Sequence, residues 1–402
     1  MGEGVIRAPA MTVWRAAFAA SAAGLVGIGF ARFSYTPLIP ALIGAHWFTP
    51  AAAVYFGAAN LAGYLLGAVT ARAMARRVPA ATLLRITLVL VTLSFFASAW
   101  PLDWAWFFAW RFISGIGGAV IMVVAAPNVL AHVAPARRGM VGGVLFAGVG
   151  AGVALSGTLV PFLVRWGLVE TWCVLGALCV ALTAAAWNGF LPDPPPLAAA
   201  SPQAARARSW GGLVVGALLL EYALLAAGLV PHMVFFVDYI ARGLGWGMAA
   251  GGHYWVLFGL GAVAGPLLGG WLGDRIGFGL ALRAGLALEA AAVAMLLATT
   301  NGVALGVSAF LGGFLTAGMV PVVLGRVHAL LHDADRQRAV WAAATACFAL
   351  GQAGAGYLDS FLFARVGGTY TALFILGAAA ALLALAIDLA ATLSRRSAPI
   401  LP

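Results

Sequence analysis

The chain has 402 residues, 63% of them hydrophobic and only 8% charged, with a net charge of +10 that comes from arginine and no lysine. Soluble domains carry about 25% charged residues, so this composition excludes a water-soluble fold of such length. A basic excess confined to loop ends is topological, and no nucleic-acid partner is implied.

Apolar runs of about 20 residues, each long enough to cross a ~30 Å hydrocarbon core, recur from end to end. They predict twelve helices at 14–43, 51–72, 80–100, 104–131, 139–165, 168–190, 212–240, 248–272, 280–300, 303–326, 338–363 and 367–393. Alternation in period two, the mark of a membrane β-barrel, is missing from these runs, so helices are predicted. The first run passes Ala19-Ala20-Ser21 without a polar break and continues to Pro37, which makes it a first span and not a leader peptide. Residues 192–211 hold Pro192-Asp193-Pro194-Pro195-Pro196, Arg206 and Arg208, and read as a linker between units 1–191 and 212–402. A shift of 194 residues lays Pro37 on Pro231 and Pro127 on Pro321, as two parallel six-span repeats would.

With the N-terminus inside, seventeen arginines fall at cytoplasmic ends: 7, 15, 72, 76, 77, 85, 137, 138, 206, 208, 275, 283, 326, 336, 338, 395 and 396. Arg165, Arg242 and Arg365 fall outside, and Arg32 and Arg111 lie within spans. That bias predicts both termini in the cytoplasm.

An ionisable side chain inside a membrane helix costs at least ~2.5 kcal/mol, so such residues face a cavity or a partner. In span one, Arg32, Tyr35 and Thr36 share a face by their i, i+3, i+4 spacing. A guanidinium beside two hydroxyls suits an anionic or carboxylate-bearing substrate, and equally suits a structural arginine meeting a carbonyl or acid on another span. In span seven, Glu221 next to Tyr222 is the candidate proton carrier; a buried structural pair, Arg32 being one conceivable partner, is the other reading. Asn60, Tyr64, Asn128, Tyr222, Tyr254 and Gln352 offer neutral hydrogen-bonding groups that either line a substrate path or join helices. Pro127 and Pro231 break their spans and free backbone carbonyls, as gates do, and His232 beside Pro231 reads as a substrate contact or a hydrogen-bonded core residue.

The remaining acids are expected to be structural. Asp238 is expected to be solvated at the outer end of span seven, and Asp359 to be structural near the outer end of span eleven. Glu289 and Asp388 are expected to pair with Arg283 or to reach the surface. Cys173, Cys179 and Cys347 lie in apolar spans as packing residues. His328 and His332 have a metal-ligand spacing, but beside Asp333 and Asp335 they read as a solvated helix end, so neither a metal nor a cofactor is expected. No P-loop, HExxH or G-x-S-x-G pattern occurs, which leaves ATP drive, zinc proteolysis and serine hydrolysis without support.

Two stretches carry a family resemblance. Gly270-Trp271-Leu272-Gly273-Asp274-Arg275-Ile276-Gly277 resembles the G-x-L-x-D-R-x-G loop of the major facilitator superfamily, and Arg111 to Ala119 resembles its R-x-x-x-G-x-G-x-A fourth-span pattern. Gly27 to Pro40 and Asn60 to Gly67 resemble the bacterial YbfB/YjiJ-type branch. The resemblance implies an all-α integral membrane protein, with twelve transmembrane helices in two pseudo-symmetric six-helix bundles. It further implies a monomeric secondary transporter of the bacterial inner membrane, surrounded by lipid, that moves a small-molecule substrate by alternating access and is not an enzyme. Spans one, four, seven and ten would line its cavity. Arg111 would take part in proton handling, and Gly270, Gly273, Asp274, Arg275 and Gly277 would form a gating clamp. Proton coupling and export are the leading expectations; import, uniport or exchange of a small organic anion through Arg32 is the alternative. Two features depart from the family. The first-half loop from Gly67 to Arg77 has no Asp, and span five lacks the Gly-Pro pair of drug antiporters, its Pro161 coming late. A membrane enzyme would need clustered catalytic groups, and a sensor an appended domain; neither is read here.

Overall fold

The computed structural model describes residues 10–133, 138–192, 212–331 and 333–396. Arg7, Arg137, Arg206, Arg208, His332 and the stretch 193–211 lie outside the described residues. Twelve helical spans follow one another: α1 (Met11–Gly44), α2 (Pro50–Ala75), α3 (Ala80–Ala99), α4 (Trp104–Leu130), α5 (Arg138–Leu163) and α6 (Leu168–Ala186), then α7 (Gly212–Gly243), α8 (Gly247–Ile276), α9 (Phe278–Ala298), α10 (Gly302–Leu330), α11 (Ala334–Arg365) and α12 (Thr371–Arg396). Eleven are both long and apolar enough to cross a membrane. The exception, α11, is rich in small residues and carries Gln352 and Asp359, but its 32 residues reach about 48 Å and outspan the bilayer core. α1 begins and α12 ends on one face, called here the terminal end; the opposite face is the far end.

Several spans start on caps the sequence supplies. Thr49 accepts the Ala52 N–H ahead of Pro50, Asp103 accepts the Trp106 N–H at 2.7 Å, and Asp333 accepts the Arg336 N–H at 2.7 Å. α8 runs four residues beyond its expected end, so Asp274 and Arg275 lie on its last turn and not in a loop. The reversal is made at Gly277, whose φ of 84° only glycine adopts readily.

α1 and α7 are broken. In α1 a π-helical stretch, Leu25–Phe30, and a turn at residues 31–34 precede the helix Tyr35–Gly44. Pro37 has no N–H to offer the Phe33 carbonyl one turn back, and the indole of Trp255 on α8 donates there instead, at 3.1 Å. In α7 the break falls at Pro231–Phe235, again π-helical.

α1 to α6 pack chiefly among themselves, as do α7 to α12, and the two sets meet along α5–α8, α2–α11 and the far-end parts of α1 and α7. The α5–α8 seam depends on missing side chains. A Cβ on Gly259 would run into the Ala154 backbone, and one on Gly150 into that of Val263. Outward surfaces carry exposed Phe18, Leu93, Phe162, Leu260 and Leu382, which suit lipid.

Candidate functional site

A cavity of about 750 Å³ opens between the two six-span sets at the terminal end. Arg72 and Val69 of α2, Pro127 and Asn128 of α4, and Trp341 and Thr345 of α11 are among its walls. Spans two, four and eleven supply most of its walls and Ala80 of α3 adds to them, where the family resemblance implied spans one, four, seven and ten. Its inner limit is a small cluster of Tyr64, Ala119 and Ala349, against which the wall residue Ala68 packs.

Beyond that cluster sits Arg32. Its Cζ lies 5.2 Å from the Tyr64 ring centre and 5.3 Å from that of Phe33, and its Nη2 donates to Gln352 Oε1 at 2.7 Å. Met233 Sδ approaches both the Arg32 Nη2 and the Gln352 amide. Arg111, buried on α4, holds its Cζ 4.1 Å from the Tyr35 ring centre and donates through Nη1 to the Ala31 carbonyl in the α1 break, at 2.7 Å. The two guanidiniums are within electrostatic range of each other. Each has a buried Nε without a hydrogen-bond partner, and among the described residues neither forms a salt bridge. Among the described residues the site therefore holds two positive charges met by a carbonyl, an amide, a thioether and ring faces, with no carboxylate.

Toward the far end the site is closed. Thr36 Oγ1 donates to the Met233 carbonyl at 2.5 Å, Tyr35 OH to the Ala53 carbonyl at 2.7 Å, and Trp255 stacks on Phe258 with centroids 4.5 Å apart. The Trp255 indole also meets Ser156 Oγ at 3.1 Å, tying α8 to α5 as well as to α1. Thr36 thus spends its hydroxyl on closure between the two sets, and Tyr35 spends its own on α2 within the first six spans.

The other candidates divide. Tyr64 and Gln352 belong to the arginine site, and Asn60 supports it by donating to Ser114 Oγ at 2.9 Å and to the Arg111 carbonyl. Tyr222 lies under Tyr64, packed on Phe348 at 4.7 Å and stacked on Trp341. Asn128 borders the cavity, but its amide is spent on the Leu191 backbone in both directions. Tyr254 donates to the Gly302 carbonyl near the far end, away from the arginines. His232 is fully buried and meets Ser308 of α10 at 2.8 Å, a packing role inside the last six spans. Pro127 borders the cavity, and Pro231 opens the α7 break that brings in Met233.

Glu221 makes no bridge to Arg32. Its charge is felt by Asp388, Arg326 and Arg283, at the terminal end between α7, α9, α10 and α12. Asp388 pairs with Arg283 as expected, but Glu289 does not: both its carboxyl oxygens are buried without a partner. Asp238 is not solvated. It is fully buried, bound by Arg242 at 2.6 and 2.9 Å and by the Tyr370 hydroxyl at 2.7 Å. Asp359 is buried, with Oδ2 unpartnered. At the expected clamp, Asp274 is exposed and forms no ion pair among the described residues, while Arg275 covers the Trp271 ring at 5.2 Å. Gly270 has room around it, and Gly273 packs against the Phe278 ring. No group of three or more potential metal ligands occurs among the described residues. Sequence reasoning missed Met233, Phe33 and Trp255; the prolines at 37 and 231, which expose or reposition neighbouring carbonyls, were the available signal.

Twelve helical spans, two of them broken, packed through small residues around a cleft between two six-span sets define a major facilitator transporter. A family model described as "Uncharacterised MFS-type transporter YbfB" matches residues 24–389, and the chain belongs to that family of transporters, which are not enzymes. Curated relatives are a probable nitrate/nitrite transporter, NarK2, from two strains of Mycobacterium tuberculosis, CDC 1551 / Oshkosh and ATCC 25618 / H37Rv. Each is 34% identical over 187 residues, 45% of this chain and 47% of the relative, so the match spans about half the length of either protein. Among solved structures, the D-xylose-proton symporter superposes with a TM-score of 0.71 at 17% identity, covering 94% of this chain and 97% of the symporter. At that identity the likeness speaks for the fold.

Proposed function

We propose that the protein is a proton-coupled secondary transporter of a small anion in a bacterial inner membrane, working as a monomer by alternating access. Units 1–191 and 212–402 rock about the α5–α8 and α2–α11 seams, with the terminal end in the cytoplasm as the arginine bias implies. The cavity then faces the cytoplasm and the far-end contacts form the outer gate.

One observation carries the anion reading: Arg32 and Arg111 stand together beyond the inner limit of the cavity, with free Nε donors and no carboxylate partner among the described residues. Placing an arginine at mid-membrane costs ~2.5–3.5 kcal/mol on insertion scales, and two of them double that. A permanent guanidinium cannot itself shuttle protons, but an anion of modest size satisfies both charges at once. Nitrate and nitrite are the first candidates, because the relatives matched over about half their length bear that name. Gln352, now on Arg32, is the neutral placeholder an anion displaces. Proton coupling draws on the symporter with the same fold and on the buried acids of the last six spans.

The test is flux in proteoliposomes with nitrate, nitrite, small carboxylates and xylose offered singly, read with a pH dye inside the vesicles. Anion flux accompanied by proton movement upholds the reading. The sign of that movement distinguishes symport inward from exchange outward. Transport of xylose with indifference to every anion refutes it.

A further inference from the structure

We propose that Glu289 is the proton-binding site of this transporter, set in the core of the last six spans and linked to the anion site through the broken segment of α7. This rests on the proton-coupled anion reading above and adds the group that carries the proton.

Glu289 lies midway along α9, 1% exposed, and both carboxyl oxygens lack a hydrogen-bond partner. Its seat is opened by Gly228, with Gly377 packed behind that glycine. A Cβ on Gly228 of α7 would collide with Oε1, and Gly377 of α12 lies against the Gly228 carbonyl and Pro231. A carboxylate ion at such depth without a partner is among the costliest groups a membrane protein can hold, whereas a carboxylic acid is tolerated. No lipid-facing or packing purpose requires an acid there; leucine or methionine would fill the volume.

The surrounding titratable groups lie above and below. On α7, His232 turns to Ser308 of α10, and Ser308 donates in turn to the Ala292 carbonyl of α9. Toward the terminal end stand Glu221, the Arg283–Asp388 pair and Arg326. Toward the far end stand Tyr239, Tyr370 and the Asp238–Arg242 pair. None of them hydrogen-bonds the Glu289 carboxyl.

Those neighbours mark an entry and an exit. At the far end a cavity of about 760 Å³ is lined by Tyr239, Leu296, Thr299 and Tyr370. Leu296 is seven residues along α9 from Glu289, a rise of about 10 Å. In the other direction Gly228, which touches Glu289, is seven residues along α7 from Glu221, again about 10 Å and on the same helix face. A proton loaded from the far-end cavity neutralises Glu289; its release passes to Glu221 and the charged groups of the terminal end.

The coupling element is the α7 break. Gly228 precedes Pro231, and Met233 follows it; Met233 touches Arg32 and Gln352 through sulfur and holds Thr36 through its carbonyl. One short irregular segment thus contacts the proton seat with one side and both the anion site and the outer gate with the other. An ionised Glu289 draws backbone donors or water toward itself, which the π-helical segment can supply only by rearranging, and Met233 moves with it.

The experiment uses the full chain in proteoliposomes, with nitrate and nitrite as probes. The wild type should show a deuterium-sensitive infrared C=O band from a buried carboxylic acid. That band should vanish in Glu289→Gln and shift in Gly228→Ala, whose new methyl occupies the seat. Glu289→Gln, a mimic of the protonated form, should keep nitrate–nitrate exchange within about twofold of wild type and lose proton-driven accumulation at least tenfold. Retained proton coupling in Glu289→Gln, or a wild type without the band, overturns the proposal. If no anion is exchanged even by wild type, the anion reading falls. The infrared result then decides Glu289: a band lost in Glu289→Gln upholds the proton site, and its absence from wild type rejects it.

Discussion

Replacing Arg32 by Gln separates a binding role from a folding role. The variant loses one charge-assisted bond to Gln352 at 2.7 Å and two cation–π contacts, with Tyr64 and Phe33. The bond contributes ~1.5–3 kcal/mol and each ring contact ~0.5–1 kcal/mol. Against this, removing a guanidinium from mid-membrane recovers ~2.5–3.5 kcal/mol of insertion cost. The terms nearly cancel, so the thermal midpoint of Arg32→Gln should stay within a few degrees of wild type. Anion affinity has no such compensation. Losing one charged donor at ~1.5–3 kcal/mol weakens binding about 10- to 150-fold. The assay is nitrate or nitrite binding by calorimetry in detergent, paired with uptake in proteoliposomes. Gln352→Ala serves as the control. It removes the placeholder that an anion must displace and leaves the guanidinium, so affinity should hold or rise, the opposite of Arg32→Gln. An Arg32→Gln protein that binds every tested anion as tightly as wild type would show that Arg32 is a structural group held by Gln352, and the site assignment would fail.

Other expectations follow from the same contacts. Asp274→Asn should leave the thermal midpoint and anion affinity unchanged, because Asp274 is exposed and unpaired here, while slowing turnover if it clamps the opposite state; undiminished turnover removes the clamp role. Gly259→Ala places a methyl against the Ala154 backbone in the α5–α8 seam, and overpacking of that kind costs ~1–3 kcal/mol. Its midpoint should fall and its exchange rate should drop more than its affinity, as stopped-flow uptake would register. Ser308→Ala strips His232 Nε2 of its partner, a loss of ~1–3 kcal/mol visible in thermal unfolding, with anion affinity unaltered because His232 lies apart from the arginines.

The number of spans, the arginine bias and the presence of mid-membrane charges were legible in the sequence, because lipid imposes a cost on every polar group that composition alone registers. That cost singled out Arg32 and Arg111 as residues needing an explanation. It could not say what surrounds them. Gln352, the partner of Arg32, is 320 residues away, and Met233 reaches the site only because Pro231 and the π-helical turn redirect α7. The Trp255 indole that fills the Phe33 carbonyl follows from Pro37 only once α8 is known to cross there. The acids show the same division. Asp238, Glu289 and Asp388 are equally conspicuous in an apolar sequence, yet one is bound by Arg242 and Tyr370, one is unpartnered and one pairs with Arg283. Cost is a property of the residue and its depth, so one chain of letters determines it. Compensation is a property of neighbours brought together by packing, so the tertiary structure alone decides which buried charge is stabilised and which is left for chemistry.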